Sequence, residues 1–521
     1  MRHTLPFLLF LSFAAGCDEA PSDGDGDVDG DVDVDADVDS DADAEGDGDT
    51  DGDGGGGGHC GDGTIGPGED CEGADLGDAT CEALGYDGGV LACGSGCRFD
   101  TTGCEASGVE ITVDHGERLQ RIDGFGFFGP MMTWWSSAEG SDFFSEAWLD
   151  MILNDLGITI WRNEYYSEEG DQDTSWPVQR PMVEALGDRA AANGVDLRFI
   201  FSVWSPPSEW KTNGSLKDGG HLEASHYEDF GHWLVEGIAN YADSGIELYG
   251  LSPQNEPLFA QFYNSCEYTI EEYHDMIAAV GPIVHEAYPE VRIFGPEHML
   301  FGVARDWDWD HLDPSQATLS DPDASAHLDV WACHGYGADG ATPQPSSEEA
   351  QYWTTARERV GPFDRPMWMT ETSGYGEDWD SILDYVMSIH AALRFGRVSA
   401  WVHWYGAGDL VTETALTKMG HAARQYFRYV RPGAVAVSSS VVDDEELLVT
   451  AFEHDGDGTM TLVLINSGAA ERDVYVTGSS LPAELHAYRT TATEDSADIG
   501  AVTSSSFTVP GRSITTLFAE R

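Results

Sequence analysis

Lysine is almost absent: Lys211, Lys217 and Lys418 are the only three in 521 residues. Lys and Arg together number 25 against 94 Asp and Glu, for a formal net charge of -69. Such a field repels nucleic acid and anionic bilayer surfaces, so neither is an expected partner. The stretch 18–58 has no basic residue at all. Long apolar runs are missing too, and no later segment offers the roughly 20 apolar residues of a membrane-spanning helix. The acidic balance is read as solubility outside the cell, with a saline habitat as the alternative.

What is present starts with a targeting signal. Arg2 precedes an apolar stretch at 5–13, too short to cross a bilayer, which runs into Ala14-Ala15-Gly16-Cys17. Small residues directly before a Cys resemble a bacterial lipoprotein cleavage site. That resemblance implies a signal at 1–17, acylation of Cys17, and contact with a membrane only through that anchor. An ordinary signal peptide with an incidental Cys is the alternative. The expected location is the bacterial cell surface or outer membrane, or the medium.

From Asp23 to Asp53 every odd position is Asp or Glu. Alternating like charges without bulky apolar residues cannot build a core, so 18–58 reads as a disordered acidic linker. No Asp there has a Glu at the twelfth position, which excludes an EF-hand calcium loop. Residues 59–105 form a separate unit with Cys60, Cys71, Cys81, Cys93, Cys97 and Cys104. In an exported chain six cysteines imply three disulfides, with fifteen pairings open. The unit reads as a spacer or adhesion module. Cys266 and Cys333 are either two buried thiols or a pair.

From 108 onwards short apolar runs alternate with amphipathic stretches. The runs lie at 122–128, 158–164, 198–204, 248–256, 291–297, 329–337, 366–372 and 399–405. Helical periodicity falls at 145–156, 181–193, 226–244, 270–287, 346–360 and 379–395. Eight runs alternating with helical stretches predict an α/β fold, a (β/α)8 barrel over 108–432. After Pro432 the period becomes two, at 447–452, 459–465, 473–477, 485–488 and 513–518. This predicts an antiparallel β-sandwich over 433–521, which the run at 109–113 is placed to join.

Barrel enzymes carry their chemistry at the C-terminal ends of the strands. The fourth run ends Ser252-Pro253-Gln254-Asn255-Glu256-Pro257, and the seventh ends Trp368-Met369-Thr370-Glu371-Thr372. These ends face each other across a barrel mouth. Two carboxyls on opposite sides of a bond are what glycoside hydrolysis requires, at about 5–5.5 Å apart for net retention. Glu256 and Glu371 are therefore the candidate catalytic pair, and Glu297 on the fifth run is read as binding or structural. Arg162 is placed to depress the pKa of a neighbouring carboxylate. Asn255 is placed to meet a sugar hydroxyl, His334 and Tyr336 to position Glu371, and Trp204, Trp401 and Trp404 to contact the sugar. With 16 Trp in the chain, an aromatic cleft is expected.

The order of motifs resembles glycoside hydrolase family 30, within the clan of retaining barrel glycosidases. It rests on Ile122-Asp123-Gly124-Phe125-Gly126, Trp204-Ser205-Pro206-Pro207, Lys211-Thr212-Asn213-Gly214, Asn255-Glu256-Pro257, Trp368-Met369-Thr370-Glu371 and the run at 425–433. The resemblance covers 108–521. It implies Glu256 as acid/base, Glu371 as nucleophile and hydrolysis of β-linked xylan, β-glucan or β-galactan. It calls for no metal or organic cofactor, and a monomer is expected. The alternatives are an exo-acting glycosidase on oligosaccharides or glycolipids, and an inactive glycan-binding lipoprotein. Two stretches depart from the better-known branches. One is 127–135. The other is Tyr405-Gly406-Ala407-Gly408-Asp409-Leu410, which lacks the Arg that grips a glucuronate side branch.

Overall fold

The computed structural model describes residues 60–84, 86, 88–105, 108–129, 143–166, 175–299, 313–336, 347–479, 481–482 and 484–520. The signal, Cys17 and the acidic linker lie outside the described residues, as does most of the divergent stretch at 127–135.

All eight strands predicted for the barrel form. They are β1 (Gly124–Phe128), β2 (Ile160–Glu164), β3 (Arg198–Ser202), β4 (Leu248–Ser252), β5 (Arg292–Met299), β6 (Val330–His334), β7 (Met367–Glu371) and β8 (Ala400–Tyr405). They close in sequence order into one parallel barrel. Alternate residues on a strand face opposite ways. Ile160, Ile200, Phe294, Val330, Trp368 and Val402 fill the interior. Phe125, Trp161, Phe201, Trp331 and Trp401 pack outward in the larger core that also takes in the helices. At Gly126 a Cβ would sit 1.8 Å from the Ile160 carbonyl, so only glycine lets β1 and β2 approach this closely.

The helices keep close to their sequence-read limits, with one exception. Trp176–Asn193 begins ahead of the expected 181, because Pro181 lies within its first turns and reads as a start signal. Ile270–Ala287 is fixed by a capping box between Thr269 and Glu272. Helix Lys418–Phe427 adds to the stretches read from the sequence; Tyr426 and Phe427 pack their rings near Phe125 of β1.

The N-terminal mouth of the barrel is plugged by Asp123. Its carboxylate accepts from Tyr249 Oη (2.6 Å), Ser399 Oγ (2.8 Å) and Trp368 Nε1 (2.9 Å), and pairs with Arg198 (3.1 Å). Burial raises its pKa, but these donors and the Arg292 charge outweigh burial and leave it lowered. Asp123 therefore stabilises the end of the barrel away from the site.

The C-terminal strands form a nine-stranded antiparallel-rich sheet joined by Val109–Arg121, which pairs with Val435–Val441 and Arg472–Thr477. Ile111, Val449, Leu462 and Leu517 share the core of this sandwich. The alternate residues Leu448, Val463 and Ile514 belong to the barrel's large core. Strands Leu447–His454 and Thr459–Asn466 are thus buried on both faces, clamped between two cores.

The Cys-rich unit holds three disulfides, Cys60–Cys97, Cys71–Cys93 and Cys81–Cys104. Disulfides persist in oxidising compartments, so the chain is exported. Cys266 and Cys333 are free, buried thiols rather than a pair. Among the described residues no helix is long and apolar enough to cross a membrane.

Candidate active site

The chain turns sharply after β4. Asn255 N–H donates to the Val203 carbonyl (2.7 Å) and Glu256 N–H to that of Glu297 (3.1 Å). Glu256 sits in the left-handed region, φ 48°, and so does Glu297, φ 56°. A non-glycine residue held there stores strain that the surrounding bonds must maintain. Strict alternation would turn Glu371 away from the interior, since Trp368, three residues earlier, points inward. A register slip between β6 and β7, after the pairing of Met369 with Cys333, pairs Glu371 with His334 and re-aims its carboxylate inward. Similar slips occur beside Glu297 on β5 and Trp404 on β8.

These turns bring Glu256, His334 and Glu371 together, with one polar atom of each lying within 4.8 Å of the others. Arg162, fully buried, anchors the floor. Its Nη1 donates to Glu371 Oε2 (2.6 Å) and its Nη2 to Asn255 Oδ1 (2.7 Å) and Glu297 Oε1 (3.1 Å). Its Nε reaches Ser202 Oγ at 3.2 Å. Tyr336 Oη donates to Glu371 Oε1 (3.0 Å), and His334 Nδ1 lies 2.9 Å from Glu256 Oε1. Phe128 stacks on Trp404 at 4.4 Å, with Trp204 6.0 Å from Trp404. Trp204 also lies against Arg162, 4.9 Å from its guanidinium carbon.

The charges are strongly coupled. Burial opposes ionisation of Glu297, but Arg162 and His334 win and hold its carboxyl down at about 2. Burial likewise opposes a charged His334, yet Glu371, Glu256 and Glu297 push its pKa up to about 9. For Glu371 burial prevails: with Glu256 adding to it, it outweighs His334 and Arg162 and leaves the pKa raised. The sequence reading expected Arg162 to depress Glu371. The contact is there, but Arg162 divides its charge between two carboxylates, and Glu297 is the one kept ionised.

Other expectations need correction. Arg162 is fully buried and reaches a ligand only through the groups it holds. His334, expected to position Glu371, hydrogen-bonds Glu256 and lies 3.7 Å from Glu371. Trp401 does not line the cleft: it is 1% exposed and faces the helices near Tyr385. Among the described residues most tryptophans are likewise core, with Trp148, Trp161, Trp331, Trp353 and Trp368 all fully buried. Phe128, Ser202 and Tyr263 were missed; Phe128 ends a strand as the recognised residues do, and Tyr263 lies in an aromatic-rich stretch just past Glu256.

Family models agree with this architecture. One described as glycosyl hydrolase family 30 TIM-barrel domain matches residues 171–405, and one described as glycosyl hydrolase family 30 beta sandwich domain matches 433–517. The chain belongs to glycosyl hydrolase family 30. Among relatives of this family member, the glucuronoxylanase XynC of Bacillus subtilis (strain 168) is 25% identical over 296 residues. That match covers 54% of this chain and 63% of XynC, less than two thirds of its length. Among solved structures, the family 30 subfamily 8 xylanase Xyn30A from Clostridium acetobutylicum has a TM-score of 0.65 at 21% identity, covering 79% of this chain and all of that one. The endo-beta1,6-glucanase BT3312 has a TM-score of 0.62 at 19% identity, covering 79% and 94%. At these identities the structures share the fold.

Proposed function

We propose that this family 30 protein is a retaining β-glycosidase acting on neutral β-linked glycans. The observation that carries the reading is the Glu256–Glu371 pair, with carboxylate oxygens within 4.8 Å on facing strand ends. Inverting enzymes hold their carboxyls about 6.5–9.5 Å apart to admit water between them, so the close pair favours direct attack. Arg162 and Tyr336 both donate to Glu371, which supports it as the nucleophile, and Glu256 on the facing strand end takes the acid/base role.

Glu371 then attacks the anomeric carbon as Glu256 protonates the departing oxygen. Glu256, now a base, takes a proton from water, which displaces Glu371 and restores the pair. Arg162 binds the Asn255 oxygen and so leaves the amide NH2 to donate to a sugar hydroxyl. Trp404, stacked on Phe128, offers an aromatic floor. Each of these groups belongs to the chain, and the chemistry calls for no metal or organic cofactor.

XynC is named a glucuronoxylanase and BT3312 an endo-β1,6-glucanase. The stretch after β8 carries no Arg, and its Asp409 is bonded to His403, so a glucuronate branch has no cation there. Xylan, β-glucan and β-galactan are the substrates proposed. The chain is further inferred to act as a monomer, anchored through an acylated Cys17 with 18–58 as a tether. The test is proton NMR of the first sugar anomer released from a panel of these purified glycans. Initial release of the β-anomer is expected; initial release of the α-anomer would overturn retention.

A further inference from the structure

The stretch leading on from Glu256 presents rings that the mechanism above does not use. Phe262 is 65% exposed and Tyr263 39%, their rings 5.3 Å apart and edge to face. A bulky apolar ring held in water on an enzyme needs a reason. Mobility does not supply one here, because the backbone beneath these rings is fixed from two sides. Lys211, 4% exposed, donates to the Ser265 carbonyl at 2.6 Å, and Asp218 N–H donates to the Gln261 carbonyl at 2.7 Å. The Ser265 hydroxyl, 4% exposed, accepts from Gln261 N–H at 2.9 Å and closes the turn that carries both rings. One of only three lysines in the chain is thus spent inside the molecule, tying this loop to the one that follows β3.

Position says what the rings face. Phe262 and Tyr263 follow Glu256 by six and seven positions. Asn264, next to Tyr263, donates its amide to Tyr166 Oη (2.5 Å) just past the end of β2, which holds the turn over the barrel mouth; burial, then the carboxylates of Glu256, Glu371 and Glu164, raise the Tyr263 phenol pKa. The Phe128, Trp204 and Trp404 rings come from β1, the end of β3 and β8 instead. We propose that Phe262 and Tyr263 form a preorganised platform on the acid/base side of the site, on which a neutral pyranose of the leaving group stacks. Three carboxylates nearby disfavour an anionic sugar in that place. Stacking there holds the departing oxygen against Glu256, and fixing the loop in advance reduces the ordering cost of binding.

The inference rests on the glycosidase reading, and its test separates the two. Wild type, Phe262→Ala and Phe262→Trp are compared on an oligosaccharide of the preferred glycan and on the matching β-glycobiosyl fluoride, whose leaving group has no ring to stack. For Phe262→Ala, kcat/KM on the oligosaccharide should fall about tenfold, and at least fivefold more than on the fluoride. Phe262→Trp, which keeps a ring, should recover most of that loss. Equal losses on both substrates, or none on either, would overturn the platform while leaving the glycosidase reading standing. A wild type that cleaves neither substrate would remove both.

Discussion

Replacing Arg162 separates its structural duty from its chemical one. Arg162 and Glu297 are both 0% exposed and 3.1 Å apart. At an effective dielectric near 20, that separation corresponds to an attraction of about 5 kcal/mol. In Arg162→Met the Glu297 carboxylate stays buried without its main partner, which should cost about 3–5 kcal/mol of stability. Adding Glu297→Gln removes the stranded charge, so the double variant should regain about 2 kcal/mol or more. Activity should behave differently. Glu371 loses its 2.6 Å donor in both variants, so kcat/KM should fall about a hundredfold or more and stay down. Urea unfolding midpoints and kcat/KM on one glycan, measured for all four members of the cycle, give both answers. A double variant no more stable than Arg162→Met, or one that recovers activity with stability, would refute the division of labour.

Three further outcomes are expected. Glu256→Ala should keep its first step on aryl glycosides and stall at deglycosylation, with azide restoring turnover and giving a β-glycosyl azide, whereas azide with Glu371→Ala should give the α-azide; NMR of the two azides checks the assignment, and swapped anomers would reverse it. The folded His334 pKa is raised from 6.5 to about 9, so its contribution is complete below pH 6.5 and disappears as pH rises through 9; unfolding free energy should fall across that window by up to about 1.4 kcal/mol per pH unit, a slope that His334→Gln should flatten. Cys17→Ala should move the protein from the membrane fraction to the soluble one with activity kept, and a variant still held on the membrane would dismiss the anchor.

The strands and the two catalytic candidates were legible because each rests on a local signal: a short apolar run followed by polar residues at its C-terminal end. What escaped was decided by geometry that one strand cannot announce. Trp401 and Trp404 lie three apart, so alternation alone sends them to opposite faces, and only Trp404 reaches the mouth. The same rule applied strictly would have turned Glu371 away, had β7 not slipped register against β6. Glu297 was read as binding or structural, but its bond to Arg162 was hidden for a related reason. It sits at a slip on β5 with φ 56°, and no residue pattern marks an acidic side chain for the left-handed region. The sandwich strands at 447–454 and 459–466 were legible although both of their faces are covered, because polar residues such as Thr450 and Thr461 keep an alternation in them.

The charge inventory explains why Glu297 is needed at all. Arg162 and a protonated His334 supply two positive charges beneath the cleft, and Glu256 and Glu371 alone would balance them. Glu297, held down at about 2, takes up one of those positive charges. The pair above it is left with two carboxyls against a single uncompensated cation, and that deficit adds to the burial that raises the Glu371 pKa. Arg162 and Tyr336 donate to Glu371 and hold its carboxyl in place. Glu297, fully buried, thus acts on the pair through the charges of Arg162 and His334.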